Sequence, residues 1–428
     1  MIIDIAKQCR EASIMTSTMD GQTKNKALKM VAKALKENAD AVIEANSKDL
    51  KKAREEGLGD ALYKRLKFDG TKLSESVEGI ESLIRLPDPV GVVQIERELD
   101  DGLILRRTSC PIGVLGIVFE SRPDALVQIS CLALKSGNAV LLKGGAEAME
   151  TNGVLADIII RTSVSAGIPK GWMSLLQTRD EVTEMLSLHD IIDLVIPRGS
   201  NEFVQYIMRN TKIPVLGHAD GICHVYVDSK ADINVAATVA FDSKCQYPSV
   251  CNAMETLLLH HDIAGEFLPV IKERFDVAGV EVRGDKEVRK YIDCLPADET
   301  DWHTEYNDLI VSIKIVKEVD EAIAHINQYG SHHTDAIVTS DRKTAKRFMD
   351  LIDSANVFWN CSTRFSDGFR YGLGAEVGIS TNKIHARGPV GLEGLTIYKW
   401  TLEGNGHIVA DYTGSGLRKF KHRDMRNA

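Results

Sequence analysis

Eight cysteines, at positions 9, 110, 131, 223, 245, 251, 294 and 361, pose the first chemical question of this 428-residue chain, since a thiolate is both a nucleophile and a metal ligand. None forms a C-x-x-C pair, so neither a zinc ribbon nor a dithiol redox motif can be assembled. The passage DSKCQYPSVCNAMETLLLH, residues 242–260, singles out Cys251. A turn of small residues with Pro248 and Ser249 delivers this thiol just ahead of the apolar stretch 253–259. At the start of an element, neighbouring N–H dipoles can lower a thiol pKa. A buried packing thiol is the alternative, and Cys245 ranks behind Cys251.

Three further passages have the composition of anion sites. PRGSNEF, residues 197–203, follows the apolar run DLVI and opens a helical pattern. Gly199 permits close approach there, and Ser200 stands at the N-cap, where unpaired backbone N–H groups suit a phosphate. An ordinary capped helix is the plain alternative. LLKGGAEA, residues 141–148, places Lys143 and two glycines at the carboxyl end of a predicted strand, where open α/β sheets bind ligands; a solvated surface lysine is the alternative. NCSTRFSDGFRYGLGAEVGIS and the following HARGP offer Arg364, Arg370 and Arg387 as cations, against a plain glycine-rich loop. The G-x-G-x-x-G fingerprint, the P-loop and H-E-x-x-H are absent, and the twelve histidines show no metal-ligand spacing, so no metal is expected.

The elements that must hold these residues follow from periodicity. Leu28, Val31, Ala32, Leu35, Ala39, Val42 and Ile43 recur at three- and four-residue spacing, an amphipathic helical pattern. The segments GVVQIEREL and GLILRRTS flank Asp100, Asp101 and Gly102, and Asp-Gly between alternating runs signals a hairpin. From Ile112 short apolar runs alternate with helical ones, which indicates parallel strands with crossover connections. A second alternating set starts at Asp232, so two α/β domains are predicted, with a boundary near 228–232.

Composition agrees with this reading: 44% hydrophobic and 26% charged residues describe a globular chain. The length corresponds to about three units of roughly 150 residues. The 52 basic and 61 acidic residues, net −9, remove the footprint of a general nucleic-acid binder. Asp4, Lys7, Arg10 and Glu11 interrupt the start, and no apolar stretch approaches the roughly 18 residues of a membrane span. A soluble, cytoplasmic protein is therefore expected, a setting in which a disulfide framework is not.

VFESRPDAL (118–126), LLKGGAEA, DLVIPRGSNEF, LGHADGICHVYVD (216–228), QYPSVCNAMETLLLH and GLGAEVGISTNKIHARGPVGLEGLTIYKW (372–400) together closely resemble the gamma-glutamyl phosphate reductase family of the aldehyde dehydrogenase superfamily. The similarity runs essentially from end to end, and the 372–400 passage separates this family from its relatives. The resemblance implies an aldehyde dehydrogenase-like α/β fold of two Rossmann-like α/β domains and a small β oligomerisation element. An NADP-binding domain would occupy 1–230, a catalytic domain 231–385, and a return to the cofactor domain 386–428. The hairpin 95–110 and the strand-like tail after Thr396 would make the oligomerisation element.

The implied reaction is the NADPH-dependent reduction of L-glutamyl 5-phosphate to L-glutamate 5-semialdehyde and phosphate, the second step of proline synthesis from glutamate. Cys251 stands where the family's nucleophile stands, and Lys143 where a lysine holds the adenosine ribose. Gly199 and Ser200 match the turn beneath the cofactor phosphates, and Glu305 the glutamate on the nicotinamide ribose. Arg122, Arg364 and Arg387 are the cations expected to meet the substrate. Where hydrolytic aldehyde dehydrogenases carry a glutamate base this chain has Gly217, and where they carry an oxyanion asparagine it has Ser121-Arg122-Pro123. A missing deacylation base suits an enzyme that must not hydrolyse its thioester. The expected partners are a second copy of the chain, as a dimer or dimer of dimers, and the upstream glutamate kinase; the chain looks like the stand-alone form rather than a fused synthase.

Overall fold

The stripe of Leu28, Val31 and Leu35 is fully buried along the helix Gly21–Glu37 in the computed structural model, which describes residues 2–217, 220–413 and 418–426. Asp20 caps that helix by accepting the Thr23 N–H, and Asp69 caps Gly70–Arg85 by accepting the Lys72 N–H. Val77, Ile80 and Leu83 of the second helix meet Leu126 and Ile129 of the helix Pro123–Lys135 in the same core. Burying each such side chain stabilises the fold by about 1.5–3 kcal/mol relative to leaving it in water.

Strands β1 (Val93–Asp100) and β2 (Leu103–Pro111) form the predicted antiparallel hairpin, and Gly102 supplies the left-handed backbone of its turn, with φ +71°. Strands β3 (Val114–Phe119), β4 (Ala139–Lys143), β5 (Met173–Leu176) and β6 (Leu194–Arg198) make a parallel sheet in the order β5-β4-β3-β6. Their continuous apolar runs suit a sheet buried on both faces. Leu115, Ile117 and Phe119 point into the helical core just described, whereas Val114 and Val118 pack with Ile2, Met185 and Ile207 on the opposite face. The strand order reverses between β3 and β6, and open α/β sheets bind ligands beyond the carboxyl ends of strands at such a switch point.

A second, seven-stranded sheet contains β7 (Cys223–Val227), β8 (Met254–His260), β9 (Glu281–Gly284), β10 (Leu295–Pro296), β11 (Ile310–Val316), β12 (Thr334–Val338) and β13 (Asn356–Trp359). Its pairs are all parallel, in the order β10-β9-β11-β8-β7-β12-β13. The run CHVYV, expected to close the first α/β unit, instead lies between β8 and β12, so the division falls ahead of Cys223 rather than near 230. Alternation of strand and helix marks each strand but does not say which sheet it joins.

The chain then returns through a short antiparallel ribbon, β14 (Gly378–Ser380) and β15 (Gly388–Val390), and Val377, Val390, Leu392 and Leu395 rejoin the first core. Strand β16 (Thr396–Glu403) pairs along the length of β2, and β17 (Arg423–Asp424) pairs with β1, giving a four-stranded sheet β16-β2-β1-β17. No helix among the described residues is long and apolar enough to cross a membrane.

Candidate active site

A cleft of about 350 Å³ opens at the switch point, walled by the ends of β3 and β6, the turn ahead of β8 and the segment 364–379. It therefore joins the carboxyl edge of the first sheet to the amino edge of the second. Glu120 and Arg122 come from the first wall, Arg198 from the second, Cys251 from the third, and Arg364 and Glu376 from the last. Gly217 also lines it, while His218 and Ala219 of the same passage lie outside the described residues.

Cys251 is held through its backbone. The Cys223 thiol donates to the Cys251 carbonyl at 3.2 Å, and the next residue, Asn252, donates from Nδ2 to the Ser366 carbonyl at 2.7 Å. Gly221 packs directly against the nucleophile turn: a Cβ there would lie 2.5 Å from Cys251 Cα, 2.6 Å from Glu305 Oε1, and nearer still to the Cys251 carbonyl oxygen. Only glycine lets Cys251 and Glu305 converge on this point. Cys251 alone of the eight cysteines lines the cleft. Burial pushes the thiols of Cys9 and Cys131 up to about 12 and that of Cys245 to about 11, the state of inert packing cysteines.

The guanidinium groups of Arg122 and Arg198 make no hydrogen bond or ion pair with any described residue, although Arg198 is half-buried. Burial pulls the Arg198 pKa below the usual arginine value and the like charge of Arg122 adds to this, while Glu376 and a Cys251 thiolate oppose it. Arg364 is buried, its Nε donates to Gln246 Oε1 at 2.9 Å, and burial with the charge of Arg370 lowers its pKa against the Cys251 thiolate. Both arginines thus stand in the field of the sulfur. Burial raises Glu376 to about 7, with Arg198 pulling it back, and its Oε2 accepts the Gly368 N–H at 2.8 Å.

One expected substrate residue is not here. Arg387 donates to the Asp353 carboxylate at 3.3 Å and to the carbonyls of Thr381 and Asp353, away from the cleft. Its motif is close in sequence to Glu376, but the β14–β15 ribbon turns it to another face. Conversely, Arg198 and Glu376 line the cleft although no sequence motif points to either. Arg198 stands inside PRGS, where the glycine and serine dominate the pattern, and its signal in the sequence is a cation at the carboxyl end of a strand. Glu376 lay in the GLGAEVGIS passage, where its type had no visible partner.

Of the residues expected to hold the cofactor, Lys143, Gly199 and Ser200 stand at the first sheet, and Glu305 precedes β11 of the second. Lys143 ends β4 and donates to the Gly144 carbonyl, and it lines a smaller cleft with Gly144, Gly145, Met149 and Gln177. The Glu147 carboxylate is bonded to Ser121: its Oε1 accepts the Ser121 N–H at 2.6 Å and the Ser121 hydroxyl at 2.5 Å. Ser121 is buried with φ +39°, a left-handed conformation that costs a non-glycine residue about 1–2 kcal/mol, and the charge-assisted pair offsets this. Ser200 occupies the N-cap of the helix Asn201–Arg209 but makes no side-chain cap; its N–H instead donates to Glu120 Oε2 at 3.2 Å. Asn201 orients Glu305 through Nδ2 to Oε2 at 2.8 Å and also reaches Asp220 at 2.7 Å.

The sequence profile of the aldehyde dehydrogenase family matches residues 2–289. The chain is 59% identical over 422 residues to the gamma-glutamyl phosphate reductase of Pelotomaculum thermopropionicum, covering 99% of this chain and 97% of that one. It is 58% identical over 424 residues to the gamma-glutamyl phosphate reductase of Acetivibrio thermocellus, covering 99% and 98%. The crystal structure of the gamma-glutamyl phosphate reductase from Thermotoga maritima matches with a TM-score of 0.93 at 43% identity, covering 95% of this chain and 99% of that one.

Proposed function

The chain belongs to the aldehyde dehydrogenase family, and from that premise we propose that it reduces L-glutamyl 5-phosphate to L-glutamate 5-semialdehyde with NADPH, releasing phosphate, in the second step of proline synthesis from glutamate. The observation that carries this reading is the setting of Cys251, the cleft's one cysteine, beside Arg122 and Arg198, which have no hydrogen-bond or ion-pair partner among the described residues. An acyl phosphate is doubly anionic, and the planar arginine fork suits phosphate oxygens.

Cys251 attacks the acyl carbon as a thiolate: the C–S bond forms as the C–O bond to phosphate breaks, leaving a thioester on the enzyme. Arg122 and Arg198 hold the phosphate as it departs and takes up a proton, and Arg364 is placed for the substrate's other anionic end. A thioester is electrophilic enough to accept hydride, where a carboxylate is not, and a reduced nicotinamide supplies that hydride when bound. Cys251 is then released as the thiolate. Gly217 presents no carboxylate at the position where hydrolytic relatives carry the base that activates water.

The first sheet fits a dinucleotide. Side chains at Gly144 and Gly145 would fill the loop, meeting Asn152 Nδ2 and Glu147 Oε1, and Lys143 stands beside them. Lys143 would hold the adenosine ribose, the turn at Gly199 and Ser200 the phosphates, and Glu305 the nicotinamide ribose. Lys143 supplies the cation beside which the 2′-phosphate of NADPH would lie. The edge strand β16 exposes Tyr398, Trp400 and Leu402, and an uncovered edge of this length is a template for a second chain, supporting a homo-oligomer.

The test is NADP⁺ reduction by glutamate semialdehyde, in equilibrium with its cyclic form, and inorganic phosphate. Wild type should require phosphate and prefer NADP⁺ to NAD⁺, and Cys251→Ala should be inactive. Activity independent of phosphate, or dependent on coenzyme A in its place, would overturn the reading.

A further inference from the structure

The cleft that receives the acyl phosphate is cationic, yet it contains one carboxylate that the reaction proposed above does not use. The other acids of its wall are engaged elsewhere. Glu120 meets the Ser200 amide at the cofactor turn. Asp367 accepts the Phe369 and Arg370 amides at 3.0 Å each and lies 3.7 Å from the Arg370 guanidinium. Glu376 is held more closely: Gly368 fixes Oε2 at 2.8 Å against 3.2 Å at Glu120, while Oε1, like that of Glu120, takes no hydrogen bond from a described residue, and the side chain lines the cleft with Cys251 and Arg364. It shares the wall of the cleft with Arg198 and Cys251.

The proposed substrate has one feature that this arrangement answers. Its acyl phosphate and α-carboxylate are anions, for which Arg122, Arg198 and Arg364 suffice, whereas its α-ammonium group needs an acceptor. We propose that Glu376 receives the α-ammonium group of the substrate, so that the site selects an α-amino acid over the otherwise identical dicarboxylic analogue. This rests on the reaction proposed above and adds the residue that sets its specificity. Oε1 provides the acceptor, and the Gly368 amide on Oε2 fixes the plane of the carboxyl group. Burial penalises the carboxylate and Arg198 offsets this only in part, so an arriving ammonium adds to the compensation. A site built to bond a polar substrate group discriminates strongly, because an analogue lacking that group leaves the site's own group unpaired.

The experiment compares glutamate semialdehyde with glutarate semialdehyde, which lacks only the amino group, in phosphate-dependent NADP⁺ reduction by wild type and Glu376→Gln. Wild type should favour glutamate semialdehyde, and the variant should lose about 10–100-fold in kcat/KM for it, chiefly through KM, the size of one hydrogen bond to a charged group. The loss for glutarate semialdehyde should be at least about tenfold smaller. Taking each variant-to-wild-type ratio separately cancels the cyclisation of the amino aldehyde. Equal losses on both substrates would overturn the proposal and assign Glu376 to a step common to both, such as proton transfer. A wild type that does not distinguish the two aldehydes would overturn it whatever the variant does, which covers a variant that fails to fold. If wild type oxidised neither aldehyde with phosphate, the underlying reaction would fall first, a separate and recognisable result.

Discussion

Replacing Gly221 by alanine should separate catalysis from folding more sharply than any change at the nucleophile itself. The added methyl would lie 2.5 Å from Cys251 Cα and 2.6 Å from Glu305 Oε1, with the Cys251 carbonyl oxygen closer still. Relaxed carbon contacts are about 3.5–4.0 Å, so the Cys251 backbone has to retreat by about 1 Å. Two of the three obstructing atoms are backbone, and no rotamer change relieves them. The Cys223 thiol and the Asn252 amide tie the same turn down, so the displacement falls on the nucleophile rather than dispersing. Overpacking of this kind costs about 1–3 kcal/mol of stability. A misplacement of about 1 Å at the reacting atom costs about 100-fold in rate.

Urea unfolding and phosphate-dependent NADP⁺ reduction on one preparation give both numbers. The expected result is a folded protein with kcat reduced about 100-fold. Gly217→Ala is the matched control for stability, since its Cβ finds its nearest neighbour at 3.5 Å, an ordinary contact. A Gly221→Ala enzyme with kcat within about threefold of wild type would show that the turn accommodates the methyl and that the rigidity argued for Cys251 is wrong.

Arg198→Ala should raise KM for phosphate about 10–100-fold through loss of a charge-assisted contact, whereas Arg387→Ala should leave that KM within about twofold; the opposite pattern in phosphate titrations would restore Arg387 to the site. Glu147→Ala removes the acceptor of both Ser121 bonds and should lower unfolding free energy by about 2–3 kcal/mol. Adding Ser121→Gly, whose φ of +39° glycine adopts without strain, should return part of that loss in the same denaturant titration. Lys244 and Glu255 form a fully buried ion pair at 2.6 Å behind Cys251, so Lys244→Met alone should destabilise by about 3–5 kcal/mol while Lys244→Met with Glu255→Leu recovers most of it; equal losses in the single and double variants would contradict the buried-charge argument.

Much of this architecture is legible in one sequence because its causes are local. Alternating apolar runs announce buried parallel strands, Asp101-Gly102 announces the hairpin, and a small-residue turn before an apolar strand marks Cys251. Lys143 can be singled out as a cation at a strand end and Arg364 as one in a polar, glycine-rich loop, whereas Arg122 is reached only through the family resemblance. What could not be read is adjacency. Glu376 becomes informative only once Arg198, far away in sequence, is seen beside it. Arg387 misleads for the same reason, since the ribbon that carries it points it toward Asp353. The assignment of β7 to the second sheet likewise depends on pairing with β8 and β12, which periodicity does not encode.

The carboxylate of Glu120 on the Ser200 amide has a kinetic side. If a cofactor phosphate takes that amide, it takes it from a rival tethered to the end of β3, whose effective concentration is set by the length of its tether and not by the solution. Such a rival does not prevent binding. It lowers affinity chiefly by refilling the place as the phosphate begins to leave, and so shortens the residence time of spent cofactor. For an enzyme that must exchange its nicotinamide once per turnover, weaker holding at the phosphate turn is a route to faster release.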